Sequence, residues 1–464
     1  MRGTCYIITL AVAALAPAAA HAGGFYVPEI GPRAVGRAGA MVADDSDPSL
    51  LFHNPAGLIG LAGQTAVQAA AGLVLPDVTF FRRPIDGAGP GGSTLRFDGV
   101  SNTNKAIVVP WLGAAIDLHR KDLALAVGVY APFGATIEFP VDGAQRHVVT
   151  AIALRSIWIG PSLAWKGPGG LRLGASLAYV YSDLRLEQIN AIPFVTGDPE
   201  VIPNPDPAVE GTTTIKGKDP FSVGATLGAQ WVSPSGRLAI GASATLPVNL
   251  HLKGDGVIVN AGIAPLVDGS VMQPGGQRTD QLSVDLPLPL VVRAGVRLRP
   301  ARGYTVLADV NWQRWSTFKT LTIDFAHQYE LLPTPGADLY DVSVANAWKD
   351  TFTGRLGAEL APWAAPLTAR VGVLYDQSPV DDRHFALTTP DSNKLGVSAG
   401  AAYRIDLGRD RALTLDLAFM HLFLAERDVT ASDGTILNKP APSFYAGVTR
   451  AAFNIAYLGA TYQL

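Results

Sequence analysis

Residues 290–313, LVVRAGVRLRPARGYTVLADVNWQ, read as two β-strands and the turn between them. Val292, Ala294, Val296 and Leu298 fall on one side of the first strand, and Arg293, Gly295, Arg297 and Arg299 on the other, because successive side chains of a strand point to opposite faces. In the second strand Val306, Ala308, Val310 and Trp312 oppose Leu307, Asp309, Asn311 and Gln313. One face of each strand suits hydrocarbon and the other does not. The turn Pro300-Ala301-Arg302-Gly303 brings Arg293 close to opposite Asp309 on the polar face, so an Arg293–Asp309 salt bridge is expected there.

The same alternation recurs outward in both directions. Leu171, Leu173, Ala175, Leu177 and Tyr179 oppose Arg172, Gly174 and Ser176; Phe221, Val223, Ala225, Leu227 and Trp231 oppose Ser222, Gly224, Thr226 and Gln230. Fourteen segments fit the pattern, at 64–75, 105–118, 122–139, 148–166, 170–187, 218–232, 237–252, 281–299, 303–325, 348–361, 366–376, 393–406, 411–424 and 446–463. An even number is what bacterial single-chain barrels use. Connections alternate between short turns, such as Arg120-Lys121 and Gly167–Gly169, and long loops at 76–104, 188–217, 253–280, 326–347, 377–392 and 425–445. Short turns on one side and long loops on the other match the periplasmic and extracellular ends of an outer-membrane barrel.

Composition agrees. Only 16% of residues are charged, against ~25% in soluble domains, and mean hydropathy is +0.22. Past the N-terminus no apolar run approaches the ~20 residues of a spanning helix. A soluble sandwich, the rejected alternative, would expose more Lys and Glu and bury larger residues. The fold expected is all-β: a 14-stranded antiparallel transmembrane β-barrel.

Residues 1–22 read as a signal peptide: Arg2, the apolar run Cys5–Ala16, and an Ala20-His21-Ala22 cleavage site predicting a mature start at Gly23. Cys5 is the only cysteine, so no disulfide or thiolate metal site is expected after cleavage. Residues 23–61 follow, rich in Gly, Ala and Asp, without the long apolar stripe of a packing helix. They read as a hatch with short helical turns that plugs the lumen, and 62–464 as the barrel. Arg33 and Arg37 are expected to pair with lumen carboxylates. Asn54-Pro55-Ala56-Gly57 reads as a turn, Asn-Pro initiating and Gly terminating, or as a plain loop into the first strand. Ala131-Pro132-Phe133-Gly134 interrupts the third strand, where Pro cannot donate to the ladder, so a kink or bulge is expected.

Several runs, in order along the chain, resemble the FadL/TodX family of Gram-negative outer-membrane transporters of hydrophobic compounds. They are Ala38-Gly39-Ala40 with Asp44-Asp45 and Asn54–Gly57; Val127–Gly134; Leu286–Pro289; Asp309–Ser316; Asn346–Asp350 with Arg355–Gly357; and Arg370–Val380. The resemblance implies passive uptake of long-chain fatty acids or monoaromatic hydrocarbons through an interior apolar pocket. It implies hatch movement, with Asn54, Pro55, Ala56 and Gly57 as hinge, and lateral exit into the bilayer at Ala131, Pro132, Phe133 and Gly134 of a kinked third strand. A fatty-acid carboxylate needs one or two cations; lumen-facing Arg293, Arg297, Arg355 and Arg370 are candidates, each with an internal salt bridge as the alternative. Apolar runs in the long loops, Ile192–Val195, Val257–Val259 and Ala264–Val267, suggest a docking surface for apolar ligand, with mutual packing or contact with lipopolysaccharide as the alternative.

The partners expected are a hydrophobic small molecule, outer-membrane lipid and lipopolysaccharide, and the insertion machinery that reads a terminal strand such as Phe453–Leu464; a monomer is expected. Net charge of −3 offers nucleic acid nothing. No cofactor or metal is expected. The histidines are scattered and there is no H-E-x-x-H or P-loop motif; the letters G-x-S-x-G occur once, at Gly396–Gly400, but inside the alternating segment 393–406 and not at the strand-to-helix turn of a nucleophile elbow, which leaves an enzyme unsupported. A general porin for polar solutes would need a charged, water-filled constriction, which the plug-like N-terminus and the few charges oppose.

Overall fold

The alternating segments build one antiparallel sheet that closes on itself. The computed structural model describes residues 24–86, 90–103, 106–191, 210–260, 264–265, 271–272, 275–326, 329–330, 338–339, 342–362, 366–430, 435–436, 439–440 and 446–464. The signal segment, Ile192–Val195 and Leu266-Val267 lie outside them. The wall has fourteen staves. The first six are β1 (Ala66–Arg82), β2 (Ile107–Ile116), β3 (Leu123–Glu138), β4 (Ala151–Lys166), β5 (Leu171–Ala191) and β6 (Glu210–Val232). Four broken staves follow: β7 (Leu238–Thr245 and Val248–Asn260), β8 (Gln277–Leu288 and Val291–Leu298), β9 (Tyr304–Gln313 and Thr320–Phe325) and β10 (Val342–Ala345 and Thr351–Leu360). The last are β11 (Leu367–Asp376), β12 (Lys394–Gly408), β13 (Arg411–Leu424) and β14 (Gly447–Gln463). Each pairs with its neighbours in sequence, and β14 pairs with β1 from Gln463↔Ala66 to Gly447↔Arg82, which closes the barrel. Closure leaves no end strand, so along most of the wall the backbone groups that hydrocarbon cannot satisfy are paired.

The two faces separate as the alternation demands. In β8, Val292, Val296 and Leu298 are exposed on the outside, whereas Arg293 and Arg297 are buried inside. On β6, Phe221 and Trp231 lie ten residues apart on the outer face. At a rise of ~3.3 Å and a tilt of ~40° that separation spans ~25 Å, the height of an outer-membrane apolar band. Several staves run past this band: β1 reaches Arg82, β6 begins at Glu210 and β7 continues to Asn260, so Val257–Val259 is strand and not loop.

Two expectations about the strands are corrected. Leu298 pairs with Val306, so the connection between β8 and β9 takes Arg299–Gly303, longer than Pro300–Gly303, and Tyr304 and Thr305 at the start of β9 pair with β10 alone; Pro300 has no N–H for the ladder, and the Tyr304 amide donates to Ala301 O. Arg293 therefore faces Asn311, and Asp309 faces Gly295 on one side and Arg355 of β10 on the other. The Arg293–Asp309 salt bridge does not form. Second, 237–252, 281–299 and 303–325 are not uninterrupted strands, and 348–361 is strand only from Thr351. Staves β7 to β10 break at 246–247, 289–290, 314–319 and 346–350, and the breaks turn Trp315, Phe318 and Trp348 inward, where all three are buried.

Residues 24–61 run inside the barrel, nearly all of them buried. Their regular pieces are short: α1 (Pro32–Gly36), started by Pro at its first position; α2 (Leu50–His53); and a 3-10 turn, Pro55–Leu61, capped by the Asn54 side chain, which accepts from the Ala56 amide.

A charge on the outer face midway between Phe221 and Trp231 should be far costlier than one at the rim. Leu227→Arg, at a position 51% exposed on that face, is expected to destabilise the barrel by ~2–4 kcal/mol. The shift in denaturant midpoint in lipid vesicles measures it.

Candidate functional site

The lumen holds charges from two sources: inward-facing strand residues and residues 24–61. Removing a charge from water is costly unless it is paired, and the pairs form both within each source and between the two. Arg33 Nη2 meets Glu359 of β10 at 2.6 Å, and Arg37 meets Asp44 within the segment at 2.6 Å. Arg370 of β11 links Glu359 at 2.8 Å to Asp416 of β13 at 2.6 Å. Asp45 lies among Arg172, Arg297 and Arg299, at 3.3 Å from the first and 2.9 Å from the last, and pairs most closely with Arg297. Asp309 accepts the amides of Met41 (2.6 Å) and Val42 (2.9 Å). Arg355 reaches Glu29 at 2.7 Å and Ala38 O at 2.8 Å. Gly39 beside it has φ +79, and a Cβ there would collide with the Arg355 guanidinium.

Asn54, Pro55, Ala56 and Gly57 are all buried against the wall. Asn54 Nδ2 donates to Val42 O at 2.7 Å and to Ala229 O of β6 at 3.1 Å. Gly174, Gly228 and Gly241 line the approach; a side chain at any of them would strike Pro55 or Asn54. The segment lies hard against the barrel here, as it does at Arg37-Ala38 beside Gly372.

Ala131, Pro132, Phe133 and Gly134 fall at a β-bulge. Tyr130 pairs with Trp158 and Phe133 with Ser156, so β3 carries one residue more than β4 between these rungs. On the other side the β2–β3 ladder runs from Ile116↔Leu125 to Leu112↔Val129 and stops. Above that rung β2 pairs with β1 only, up to Ile107, until the Thr103 amide donates to Glu138 O at 2.7 Å. The described wall is thus unzipped between β2 and β3 alongside the bulge. Residues 25–27 cover the place from within. Val27 N donates to Pro132 O at 2.8 Å, Gly134 N donates to Phe25 O at 3.0 Å, and Tyr26 bridges to Phe133.

The same three residues enter an aromatic cluster. Phe25 lies 4.9 Å from Trp315, 5.7 Å from Trp348 and 6.4 Å from Phe133 between ring centroids. Tyr26 lies 5.0 Å from Phe133, which is 6.1 Å from Trp158. Arg293 projects into the cluster, its guanidinium 5.0 Å from the Phe52 ring, and donates to Tyr26 Oη at 2.5 Å and Thr245 Oγ1 at 2.9 Å. Burial pushes the Tyr26 phenol up although Arg293 opposes it, so Tyr26 is a neutral partner. Of the four candidate arginines, Arg297, Arg355 and Arg370 are bound to carboxylates. Arg293 alone of them bonds only neutral groups. The sequence left the four equivalent. It also gave no role to Phe25, Tyr26, Trp315 and Trp348, although Trp315 and Trp348 lie in the quoted runs 309–316 and 346–350.

A family model described as outer membrane protein transport protein (OMPP1/FadL/TodX) matches residues 12–463. A long-chain fatty acid transport protein of Escherichia coli O157:H7 is 24% identical over 446 residues, spanning 89% of this chain and 91% of that protein. The crystal structure of a Pseudomonas aeruginosa FadL homologue superposes with a TM-score of 0.76 at 20% identity, covering 95% of this chain and 99% of that one. The P. putida toluene transporter TodX superposes with a TM-score of 0.66 at 16% identity, covering 94% and 99%.

The seat of residues 24–61 has a defined acid limit. Burial pushes the His53 imidazole down to about 3, against the favourable bond from its Nε2 to Ile30 O. His53 is therefore neutral when seated and gains a proton when released, so its contribution is complete above the released value of ~6.5 and is lost as pH falls from there toward 3. Burial alone would raise the Asp44 carboxyl, but Arg37 and Arg33 outweigh it and hold it far below the carboxylate range; its contribution persists until the pH falls below ~3.9. Hydrogen exchange of residues 25–60, corrected for intrinsic rates, should be flat above pH ~7 and rise by up to ~tenfold per unit below ~6.5. His53→Gln should flatten that rise.

Proposed function

We propose, from the premise that this chain belongs to the OMPP1/FadL/TodX family of outer membrane transport proteins, that it carries hydrophobic molecules with an anionic head, such as long-chain fatty acids, passively across the outer membrane. The observation that carries the reading is Arg293: a buried cation in an aromatic cluster whose bonds go to a phenol and a hydroxyl, where its three counterparts hold carboxylates. A charge-assisted bond to a carboxylate is stronger than one to a neutral oxygen.

Residues 25–27 act in this scheme as an internal substitute for the ligand. Tyr26 Oη takes the head-group place on Arg293, and Phe25 takes the place of the tail among Trp315, Trp348 and Phe133. An arriving ligand displaces both. Losing them, Val27 and Phe25 leave Pro132 and Gly134, and the unzipped stretch between β2 and β3 opens toward the bilayer. Exit there keeps an apolar tail out of water, where exposure costs ~25 cal/mol per Å². Asn54–Gly57, fixed to the wall at Ala229, anchor the segment while its first residues are released. The chemistry is binding and diffusion, with no bond made or broken.

Neutral monoaromatic hydrocarbons are the second reading, favoured by the ring-lined cluster itself. Arg293→Met separates the two. Fatty-acid affinity in the purified, vesicle-inserted protein is expected to fall ~10–100-fold, the weight of one hydrogen bond to a charged group, with toluene uptake unchanged. Equal loss for both ligands removes Arg293 from head-group binding. Unchanged fatty-acid affinity with intact toluene uptake supports the hydrocarbon reading.

A second measurement addresses the exit. Cysteines replacing Val27 and Ala131 should, once joined, abolish uptake of either ligand and restore it on reduction. Full uptake by the cross-linked protein overturns the exit between β2 and β3.

A further inference from the structure

The outer wall of β4 to β7 carries a second feature, on the face away from the lumen. Just above Phe221, on the long-loop side, the outward residues change from apolar to cationic. Lys216 and Lys218 of β6 and Lys253 of β7 are all exposed, while their neighbours Ile215 and Leu252 point inward and are buried. The ladder sets Lys218 directly across from Lys253. Like charges on one rung repel, yet neither has a carboxylate within ion-pair distance among the described residues. The nearby acids are engaged otherwise or stand off. Asp183, across from Lys218, is bound to Arg155 at 2.9 Å; Glu187 is bound to Arg185 at 2.8 Å; Asp255 faces Lys216 without closing a pair.

Such an arrangement is unfavourable in isolation and asks for an anion from outside. Its height decides which. Lys218 lies three residues above Phe221, the upper edge of the apolar band, on the side of the long loops. That is the depth at which the phosphates of an outer-leaflet glycolipid sit, their acyl chains lying against Phe221, Val223 and Tyr179 below. We propose that Lys216, Lys218 and Lys253 form a docking site for a phosphate group of a phosphorylated glycolipid of the lipid A type. The lysines supply charge-assisted N–H donors to the phosphate oxygens, and the exposed apolar residues beneath take the acyl chains. The site sits on the wall of β6 and β7, away from the unzipped stretch between β2 and β3, and is independent of what the lumen carries.

Native mass spectrometry of the detergent-solubilised full barrel with purified bisphosphorylated lipid A tests it. The wild type should retain the lipid in buffer with chelator and without it. Lys218→Glu with Lys253→Glu should lower retention by on the order of tenfold or more. Lys166→Glu, exposed at the short-turn end, should leave it unchanged. Fully dephosphorylated lipid A should be retained no better by the wild type than by the double variant, and millimolar inorganic phosphate should not displace the intact lipid. Retained heat-modifiable migration on gels shows that the variants are folded. Equal retention by wild type and double variant, or binding that vanishes with chelator, overturns direct lysine–phosphate contact.

Discussion

Charge burial inside the barrel is the constraint on which the rest depends. A lumen filled by its own N-terminal segment has little water, so every inward-facing Arg, Asp and Glu needs a partner at hand. Arg33 with Glu359, Asp45 with Arg172, Arg297 and Arg299, and Glu29 with Arg355 satisfy barrel and segment at once. Breaking one such pair leaves an uncompensated buried charge, which typically costs ~3–5 kcal/mol. The segment is thus held tightly at Asp44-Asp45 and at Asn54, near the short-turn end. Residues 25–27, by contrast, are held by two backbone bonds, ring contacts and the Arg293–Tyr26 bond.

That contrast orders the mobility the transport scheme needs. The strongly paired portion resists displacement, and the weakly held portion covers both Arg293 and the unzipped stretch of wall. Pro132 links the two. Lacking an N–H, it cannot donate to a β-ladder, so its place in β3 is a bulge, and its free carbonyl accepts from Val27. The strand breaks in β7 to β10 serve the same region from the opposite wall. The breaks in β9 and β10 free a few residues from strand geometry and let Trp315, Phe318 and Trp348 turn inward around Phe25.

Much of this was legible in the residues. The period-two alternation of 290–313 and its repeats gave fourteen staves, their inner and outer faces and the side on which the long loops emerge. These follow from local geometry alone, because side-chain direction in a strand depends only on position along it. Pro132 announced its bulge for the same reason. The breaks at Arg314–Lys319 and Asn346–Asp350 were not legible, since they contain residues that a strand tolerates, whereas those at 246–247 and 289–290 carry Pro247 and Pro289.

What the chain by itself determined is therefore the barrel, its faces and the site of the kink. Only the tertiary structure decided which buried groups meet. A turn longer than Pro300–Gly303 set Arg293 across from Asn311, so the Arg293–Asp309 pair read from the sequence gave way to Arg293 with Tyr26 and Asp309 with the Met41 and Val42 amides. Partner choice depends on register and on a segment folded back from 267 residues away in sequence. No local pattern encodes either, and so four arginines that looked alike in the sequence became three that hold carboxylates and one, Arg293, that bonds only neutral groups.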